Sequence, residues 1–219
     1  MQLWTMWVDF LNDGLYAFIA HFGVSQAAGI ILLSLLVRAA LFPLSLAAAR
    51  SMQKNKVALE QVKPEVERLR ETLKDQPTEL ATQTMALYRQ NGIRLMGWPT
   101  LLNMVSQSVF GIGFLQALKA ANFHSRFLWL ADLGKPDMLL SILVGALLFF
   151  SMQVAPGSAD QHAQLMIWIP VLISTIALLS FPSAVGLYWA TSNAVGVAQA
   201  LLLRRSAAVA ATHASPPRN

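Results

Sequence analysis

The chain has 219 residues, of which 55% are hydrophobic and 12% are charged, and its formal net charge is +5. Roughly a quarter of the residues of a soluble domain are charged, so this composition excludes an ordinary soluble protein and indicates a membrane protein. The chain has no cysteine, no metal-site spacing among its four histidines and no glycine-rich phosphate loop, so neither a cofactor nor a nucleotide is predicted.

Residues 1–22 are predicted to form an amphipathic helix that lies on the outer membrane surface. The segment contains two tryptophans, which favour the membrane–water interface, and its apolar residues share one helical face: Leu3, Met6, Trp7, Phe10 and Leu11. An alternative is that this segment extends the first membrane span. No basic residue precedes its apolar part, so a cleaved signal peptide is not predicted.

Five apolar segments are predicted to cross the membrane as helices: 23–49, 95–118, 137–154, 164–181 and 184–203. Residues 1–37 contain no Lys or Arg, whereas 50–94 contain nine. The positive-inside rule therefore places the N-terminus outside and the C-terminus in the cytoplasm. The connecting segments are then an outer loop, a short cytoplasmic loop and a tail predicted to be disordered: 119–136, 155–163 and 204–219.

The region 50–94 is predicted to form a cytoplasmic helical hairpin. Pro64 is expected to break or restart its first helix, because proline lacks an N–H donor and clashes with the preceding turn. The second helix is expected near Thr78 to Asn91, with Gly92 as its C-terminal cap. The nine basic residues of the whole region 50–94 are typical of a solvated surface. Alternatively, they attract anionic lipid or a ribosome. The predicted fold class is thus an all-α membrane protein, a five-span bundle with an interfacial helix and a cytoplasmic hairpin.

One arginine stands inside the first predicted span. Arg38 lies twelve residues before Arg50, or about 18 Å along a helix, which places it near the bilayer centre. A charge there costs about 2.5 kcal/mol or more. None of the eleven acidic residues lies within the body of a span, so Arg38 must face water or neutral hydrogen-bond acceptors.

Neutral polar residues form aligned faces on three of the predicted spans. Helical spacing gives three faces: Ser34 with Arg38 on the first span, Thr100, Asn103 and Gln107 on the second, and Tyr188, Thr191 and Ser192 on the last. Trp189 lies on a neighbouring stripe of the last span, and Gln153 lies at the inner end of the third. Each residue taken alone is typical of contacts between membrane helices. Together with an unpaired arginine, they predict a hydrated, inward-open groove among the first, second and last spans.

Short motifs follow one another along the chain in an order that is more specific than any one of them. The first span contains LLVRAALFPL, and the polar region contains PEVERLRETLKDQ and MALYRQNGI. The later spans and the outer loop contain GWPTLLNM, FLWLADLGKPD, LFFSMQ and FPSAVGLYWATSNAVGVAQ. From Leu32 to Arg204 this pattern resembles the YidC/Oxa/Alb family of membrane protein insertases.

The resemblance implies a bundle in the bacterial cytoplasmic (inner) membrane whose groove takes up hydrophobic segments of newly made membrane proteins. By position in the motifs, Arg38 would be the groove arginine, Ser34 its neighbour, and Gln153 and Trp189 groove-lining residues, while Asn103 stands where the family commonly has glutamine. The resemblance also implies contacts with membrane lipids, with ribosomes and, in some members, with the Sec translocon.

The sequence departs from the family pattern in several respects. It is expected to be a short member, without the additional N-terminal span and outer domain of Gram-negative members or the lipoprotein cysteine of many Gram-positive ones. Val105 stands where a proline is common, and the tail after Arg205 is short and weakly basic, which argues against ribosome docking by the tail. A housekeeping insertase and a specialised paralogue remain alternatives.

The sequence therefore predicts an insertase or chaperone that is not an enzyme. A rival hypothesis is a small anion transporter or channel subunit in which Arg38 binds the solute, although the internal repeats typical of transporters are not found. A third hypothesis is an assembly factor that only packs against other membrane proteins, which predicts a dry bundle.

Overall fold

Residues 2–94, 97–154 and 161–214 are described by a computed structural model, with side chains described only for 167–202 in the last of these ranges. The described residues form no β-strand and seven α-helices: α1 (Gln2–Phe22), α2 (Gln26–Thr72), α3 (Pro77–Gln90), α4 (Trp98–Ala120), α5 (Met138–Val154), α6 (Gln161–Leu178) and α7 (Ser183–Ala214). The predicted all-helical class is confirmed. Within the part of the chain whose side chains are described, two helices, α2 and α4, are long and apolar enough to cross a membrane, while α5 and the stretch Ile167–Leu178 are shorter apolar helices. The count of five spans stays a prediction.

The helices belong to two compact units. The first unit combines Met1–Ala40 with Gln107–Asn219, and the second is Leu41–Ser106. The first unit therefore contains α1, α5, α6, α7 and one part each of α2 and α4. The second unit contains α3 with the remaining parts of α2 and α4.

An apolar cluster forms the core of the first unit, and α1, α2, α4, α5 and α7 all contribute to it. Its members with no exposed surface are Leu15, Ala27, Ile30, Ala117, Leu118, Leu133, Val144, Ala184 and Val185. Three of the nine are alanines, whose small side chains let helix backbones approach closely where lipid supplies no hydrophobic driving force between helices. This packing brings α2, α4 and α7 together, the three helices that carry most of the predicted site residues.

Helix α1 packs against the first unit through one part of its predicted apolar face. Leu11 is buried, and the ring of Trp7 meets the ring of Phe110 edge-on at 5.1 Å between centroids. The indole N–H of Trp4 donates to Gln116 Oε1 at 2.8 Å. These contacts fasten α1 to α4.

The other residues of that predicted apolar face, apart from Trp7, point away from the core. Leu3, Met6 and Phe10 are all more than half exposed. The helix ends at Phe22, and Gly23 follows with a positive φ of 60°, a conformation that glycine adopts without steric cost. Helix α1 is thus separate from α2, and its position on the outer membrane surface stays a prediction.

Helix α2 is continuous through both of its prolines, so the predicted break at Pro64 is wrong. Proline removes one i→i−4 hydrogen bond, and the carbonyl that loses its partner can bond to water where the helix surface is exposed. Pro64 and Glu60 are both exposed. Apolar residues before and after Pro64 also pack on the same cluster, which favours one continuous helix: Ala58, Leu59, Val62, Val66 and Leu69.

Helix α3 completes the second unit and ends in a glycine cap at the predicted residue. Gly92 has a φ of 66°. Its N–H donates to the carbonyl of Arg89 at 3.2 Å, and the N–H of Ile93 donates to the carbonyl of Tyr88 at 2.8 Å. This is the Schellman arrangement, in which the left-handed residue lets the chain satisfy the last carbonyls of the helix. Ile93 thereby joins Val62 and Leu87 in the core of the unit.

The first turn of α7 is capped by the loop that precedes α5. The backbone N–H and the hydroxyl of Ser183 both donate to the carbonyl of Lys135, at 2.9 Å and 2.6 Å. The N–H of Ala184 donates to the carbonyl of Leu133 at 3.0 Å. The first N–H groups of a helix have no acceptor within the helix, so these loop carbonyls provide the acceptors for the start of α7. The start of α7 is therefore held by the outer loop.

The end of α7 differs from the prediction. In place of a disordered tail from 204, the helix continues to Ala214. The segment 206–214, SAAVAATHA, is rich in alanine, the best helix former, and contains no glycine or proline. Residues 155–160, most of the predicted cytoplasmic loop, and 215–219 lie outside the described residues.

Close packing between α5 and α7 makes Gly186 a sensitive position. A Cβ atom at Gly186 would lie 2.6 Å from Cδ2 and 3.0 Å from Cγ of Leu140, which is itself only 4% exposed. We expect Gly186→Ala to destabilise the protein by about 1–3 kcal/mol through overpacking. Thermal unfolding in detergent measures this, with Gly14→Ala as a control, because a Cβ at Gly14 meets nothing within 4 Å. Equal unfolding midpoints for the two variants would contradict the prediction.

Candidate functional site

Arg38 has a neutral hydrogen-bond partner. Its guanidinium is part-buried, and Nη1 donates to Oε1 of Gln107 at 2.8 Å. The ion pairs in the described part of the chain join other residues, Lys56 to Glu60 and Asp132 to His124 and Lys135. An amide oxygen accepts a hydrogen bond without neutralising the charge. Arg38 therefore keeps a full positive charge inside an apolar helix.

Ser34 lies one turn before Arg38 and is 1% exposed. Its hydroxyl donates to the carbonyl of Ile30 at 2.6 Å, within the same helix. This hydrogen bond satisfies the hydroxyl donor locally, as serine commonly does in helices. Ser34 is therefore a small buried neighbour of Arg38, and Arg38 contributes the charge.

Tyr188 of α7 lies near Ser34 and Arg38. Its ring packs against Phe114 at 4.9 Å between centroids, and its hydroxyl is near enough to Arg38 for an electrostatic interaction. A cavity of about 10 Å³, the size of one water molecule, is lined by Ser34, Val37, Phe110, Phe114 and Tyr188. The three helices predicted to surround a cavity do meet here. The cavity is much smaller than a groove for a helix, so the hydrated groove stays a prediction.

The other α7 residues have different surroundings. Thr191 donates its hydroxyl to the carbonyl of Leu187 at 2.8 Å, within the helix, and Ser192 is 5% exposed. Trp189 is half-buried and packs against the core cluster of the first unit. Gln153, near the end of α5, is half-buried. Of the predicted residues on α7, only Tyr188 lines the cavity.

Thr100 and Asn103 belong to the second unit, on the first part of α4. Both are half-buried, and Oδ1 of Asn103 is a buried acceptor that has no hydrogen-bond partner among the described residues. The structure therefore brings Ser34, Arg38 and Gln107 together with Tyr188 in one unit. The single polar face that includes Thr100 and Asn103 stays a prediction.

Sequence reasoning missed the apolar side of this site. Val37, Phe110 and Phe114 line the cavity beside the polar residues. Phe110 and Phe114 follow Gln107 at i+3 and i+7, which is the helical face on which Gln107 itself lies. This helical spacing could have predicted that Phe110 and Phe114 lie beside Gln107. The prediction considered polar residues alone and therefore did not include them.

The outer loop carries a second cluster of charged groups. The Asp132 carboxylate accepts the backbone N–H of Gly134 at 2.9 Å and lies 3.4 Å from His124 Nδ1 and 3.9 Å from Lys135 Nζ. The hydrogen bond from Gly134, assisted by His124 and Lys135, holds the pKa of Asp132 below its usual value. The carboxylate is therefore ionised at neutral pH and orders the loop that caps α7.

Comparisons with known proteins give a matching family model and several relatives. Residues 17–210 match the family model described as "60Kd inner membrane protein". The chain is 31% identical over 218 residues to the Bacillus subtilis protein named membrane protein insertase MisCA, covering 93% of this chain and 80% of that protein. It is 30% and 32% identical to proteins named membrane protein insertase YidC from Syntrophus aciditrophicus and Helicobacter pylori, covering 88% and 89% of this chain. The chain spans about a third of the length of these two relatives, 35% of each.

Proposed function

The chain belongs to the 60Kd inner membrane protein family, the YidC/Oxa/Alb group, and we propose on this basis that it inserts hydrophobic segments of newly made proteins into the bilayer. The observation that carries the proposal is the hydrogen bond from Arg38 to Gln107, which leaves the guanidinium charge uncompensated. A charge of this kind within an apolar helix is costly and is therefore expected to have a function. It attracts anionic groups on the polar flank of an incoming chain.

We propose five membrane spans, with α1 on the outer surface, the hairpin 50–94 in the cytoplasm and the C-terminus in the cytoplasm. The charge distribution supports this arrangement, since residues 1–37 carry no Lys or Arg and 50–94 carry nine. The proposed groove opens towards the cytoplasm, because the outer end of the first span, residues 29–33, is apolar. The membrane is the bacterial inner membrane.

The proposed mechanism needs no covalent chemistry and no nucleotide, so we propose that the protein is not an enzyme. A substrate helix of about 20 apolar residues gains roughly 0.3–0.6 kcal/mol per favourable residue on entering the bilayer. The obstacle is the polar flank that must cross the hydrocarbon. A hydrated groove shortens the dry path, and Arg38 supplies a temporary partner for acidic residues of that flank.

The proposed partners are newly made membrane proteins and the surrounding lipids. Ribosomes and the Sec translocon are further proposed partners, with the basic hairpin as the surface that suits an anionic ribosome.

Reconstitution tests the proposed function directly. The full chain is placed in liposomes with a single-span substrate that has a short acidic tail, and protease protection reports how much of the tail has crossed. We expect more protected tail than in empty liposomes and than in liposomes that hold an unrelated multi-span protein. No gain over either control would contradict the insertase proposal. Uptake of a small anion that depends on Arg38, without insertion, would instead support the transporter hypothesis.

A further inference from the structure

A tight turn at the tip of the outer loop has an unusual residue at its first central position. Phe127 and Leu130 exchange backbone hydrogen bonds at 3.0 Å and 2.8 Å across Leu128 and Trp129. Leu128 has a φ of 52°. In a two-residue turn with positive φ at the first central position, that position is ordinarily glycine, and a bulky residue there is a genuine outlier. The backbone would favour glycine, yet the sequence has leucine.

The two central side chains of the turn are exposed, and the residue that follows them anchors the turn in the core. Leu130 is 2% exposed and belongs to the core of the first unit, whereas Leu128 is 75% exposed and Trp129 is 47% exposed. The indole N–H of Trp129 donates to Asp137 Oδ1 at 3.3 Å, which places this ring beside the start of α5. The turn is thus fixed to the core at Leu130 and exposes the apolar side chains of Leu128 and Trp129.

The charges around the tip favour an anionic partner. Arg126 is exposed, and no ion pair joins it to another residue in the described part of the loop. Of the two acidic side chains near the tip, Asp132 lies beside Lys135 and His124, and Asp137 accepts hydrogen bonds from the Leu140 N–H and the Trp129 indole, so neither forms a described ion pair with Arg126. At the tip of the turn itself, the exposed side chains are those of Arg126, Leu128 and Trp129.

We propose that Arg126, Leu128 and Trp129 form a membrane anchor, here called the loop anchor, which inserts into the interfacial region of the lipid leaflet next to it. The hydrogen bond from Trp129 to Asp137 places the tip beside the start of α5, where further apolar residues are exposed: Met138, Leu139 and Ile142. Tryptophan favours the level of the lipid headgroups, and an arginine beside it pairs with lipid phosphate while its stem stays in apolar surroundings.

The loop anchor has a consequence for the site. The same loop caps α7 through the carbonyls of Leu133 and Lys135. A tip fixed at the membrane interface therefore fixes the depth at which α7 begins, and with it the depth of Tyr188. This inference requires only that α4 and α5 cross the bilayer, and it does not depend on the proposed insertase function.

Because the chain has no cysteine, a single introduced cysteine can carry a nitroxide label. The full chain with Leu128→Cys is reconstituted in vesicles of phosphatidylcholine and phosphatidylglycerol, and collision rates with oxygen and with a water-soluble nickel complex give the depth of the label. His124→Cys is the matched control in the same loop, since the His124 side chain is 69% exposed. We expect oxygen to dominate at 128 and the nickel complex to dominate at 124. Equal nickel accessibility at both positions would overturn the proposal.

A second pair of variants separates the anchor from loop stability. The label is placed by Ala131→Cys, an exposed position close to the tip, with either Leu128 or Leu128→Gly in the turn. Glycine suits the positive φ, so the unfolding midpoint is expected to stay the same or rise while the label moves towards water. An unchanged label depth would overturn the proposal. Protection of position 128 in native membranes but not in lipid vesicles would indicate a protein partner and would equally overturn it.

Discussion

Arg38→Ala is expected to reduce insertion of substrates with acidic tails by at least about tenfold, because a charged hydrogen bond in a partly buried site is worth about 1.5–3 kcal/mol. The guanidinium has only the neutral Gln107 as its described hydrogen-bond partner, so its charge is available to a substrate carboxylate. Substrates with neutral tails are expected to lose much less. The measurement is protease protection of two substrates that differ only in acidic or amide residues of the tail, inserted by liposomes that contain the variant.

Arg38→Lys is the companion variant. It keeps the charge but replaces the planar donor fork by a single ammonium, so an intermediate loss is expected if fork geometry contributes. Unfolding midpoints of both variants show whether a loss of insertion reflects a loss of fold. If acidic-tailed and neutral-tailed substrates lose the same fraction of insertion in Arg38→Ala, the electrostatic role of Arg38 is refuted.

Gln107→Glu is expected to produce a similar loss for acidic tails without removing the arginine. The side chains have the same shape, so the carboxylate would stand where Oε1 now lies, 2.8 Å from Nη1 of Arg38. A carboxylate at that distance neutralises the guanidinium and competes with the substrate. We expect the ratio of acidic-tailed to neutral-tailed insertion to fall by about tenfold, which corresponds to about 1.4 kcal/mol.

Gln107→Met is the matched control for this prediction. Methionine has a similar length but removes the amide acceptor, and it introduces no charge. The preference for acidic tails is expected to survive in Gln107→Met and to be lost in Gln107→Glu. Arg38→Gln, measured alone and combined with Gln107→Glu, completes a double-mutant cycle. A coupling energy near zero would show that the pair seen in the structure has no role in selecting substrates.

Much of the secondary structure followed from local patterns. Helix α5 begins one residue after the predicted start and ends where predicted, since a predominantly apolar run defines it. Gly92 was recognisable as a cap because few residues adopt a positive φ without cost. Pro64 misled the prediction because its effect depends on whether the unpaired carbonyl meets water and on whether the helix packs on both sides of it.

The candidate site was predictable only in part. The lone arginine and the lack of acidic residues in the spans could be counted from the sequence, and they predicted a neutral partner. Three aligned faces offered several amides and hydroxyls as that partner. Only the packed structure identifies Gln107 as the partner of Arg38. The rotation of α2 and α4 about their axes decides which side chains meet, and helical periodicity does not specify that rotation.

The sequence by itself determined the membrane character of this protein, the positions of its apolar segments and the presence of one uncompensated cation, because composition and helical periodicity are properties of neighbouring residues. Only the tertiary structure decided the pairing of Arg38 with Gln107, the capping of α7 by the carbonyls of Leu133 and Lys135, and the positive φ of Leu128. The first two features join residues far apart in the chain, and the third is imposed on a single residue by the turn around it. Their formation depends on which surfaces meet on folding, and no local pattern specifies that.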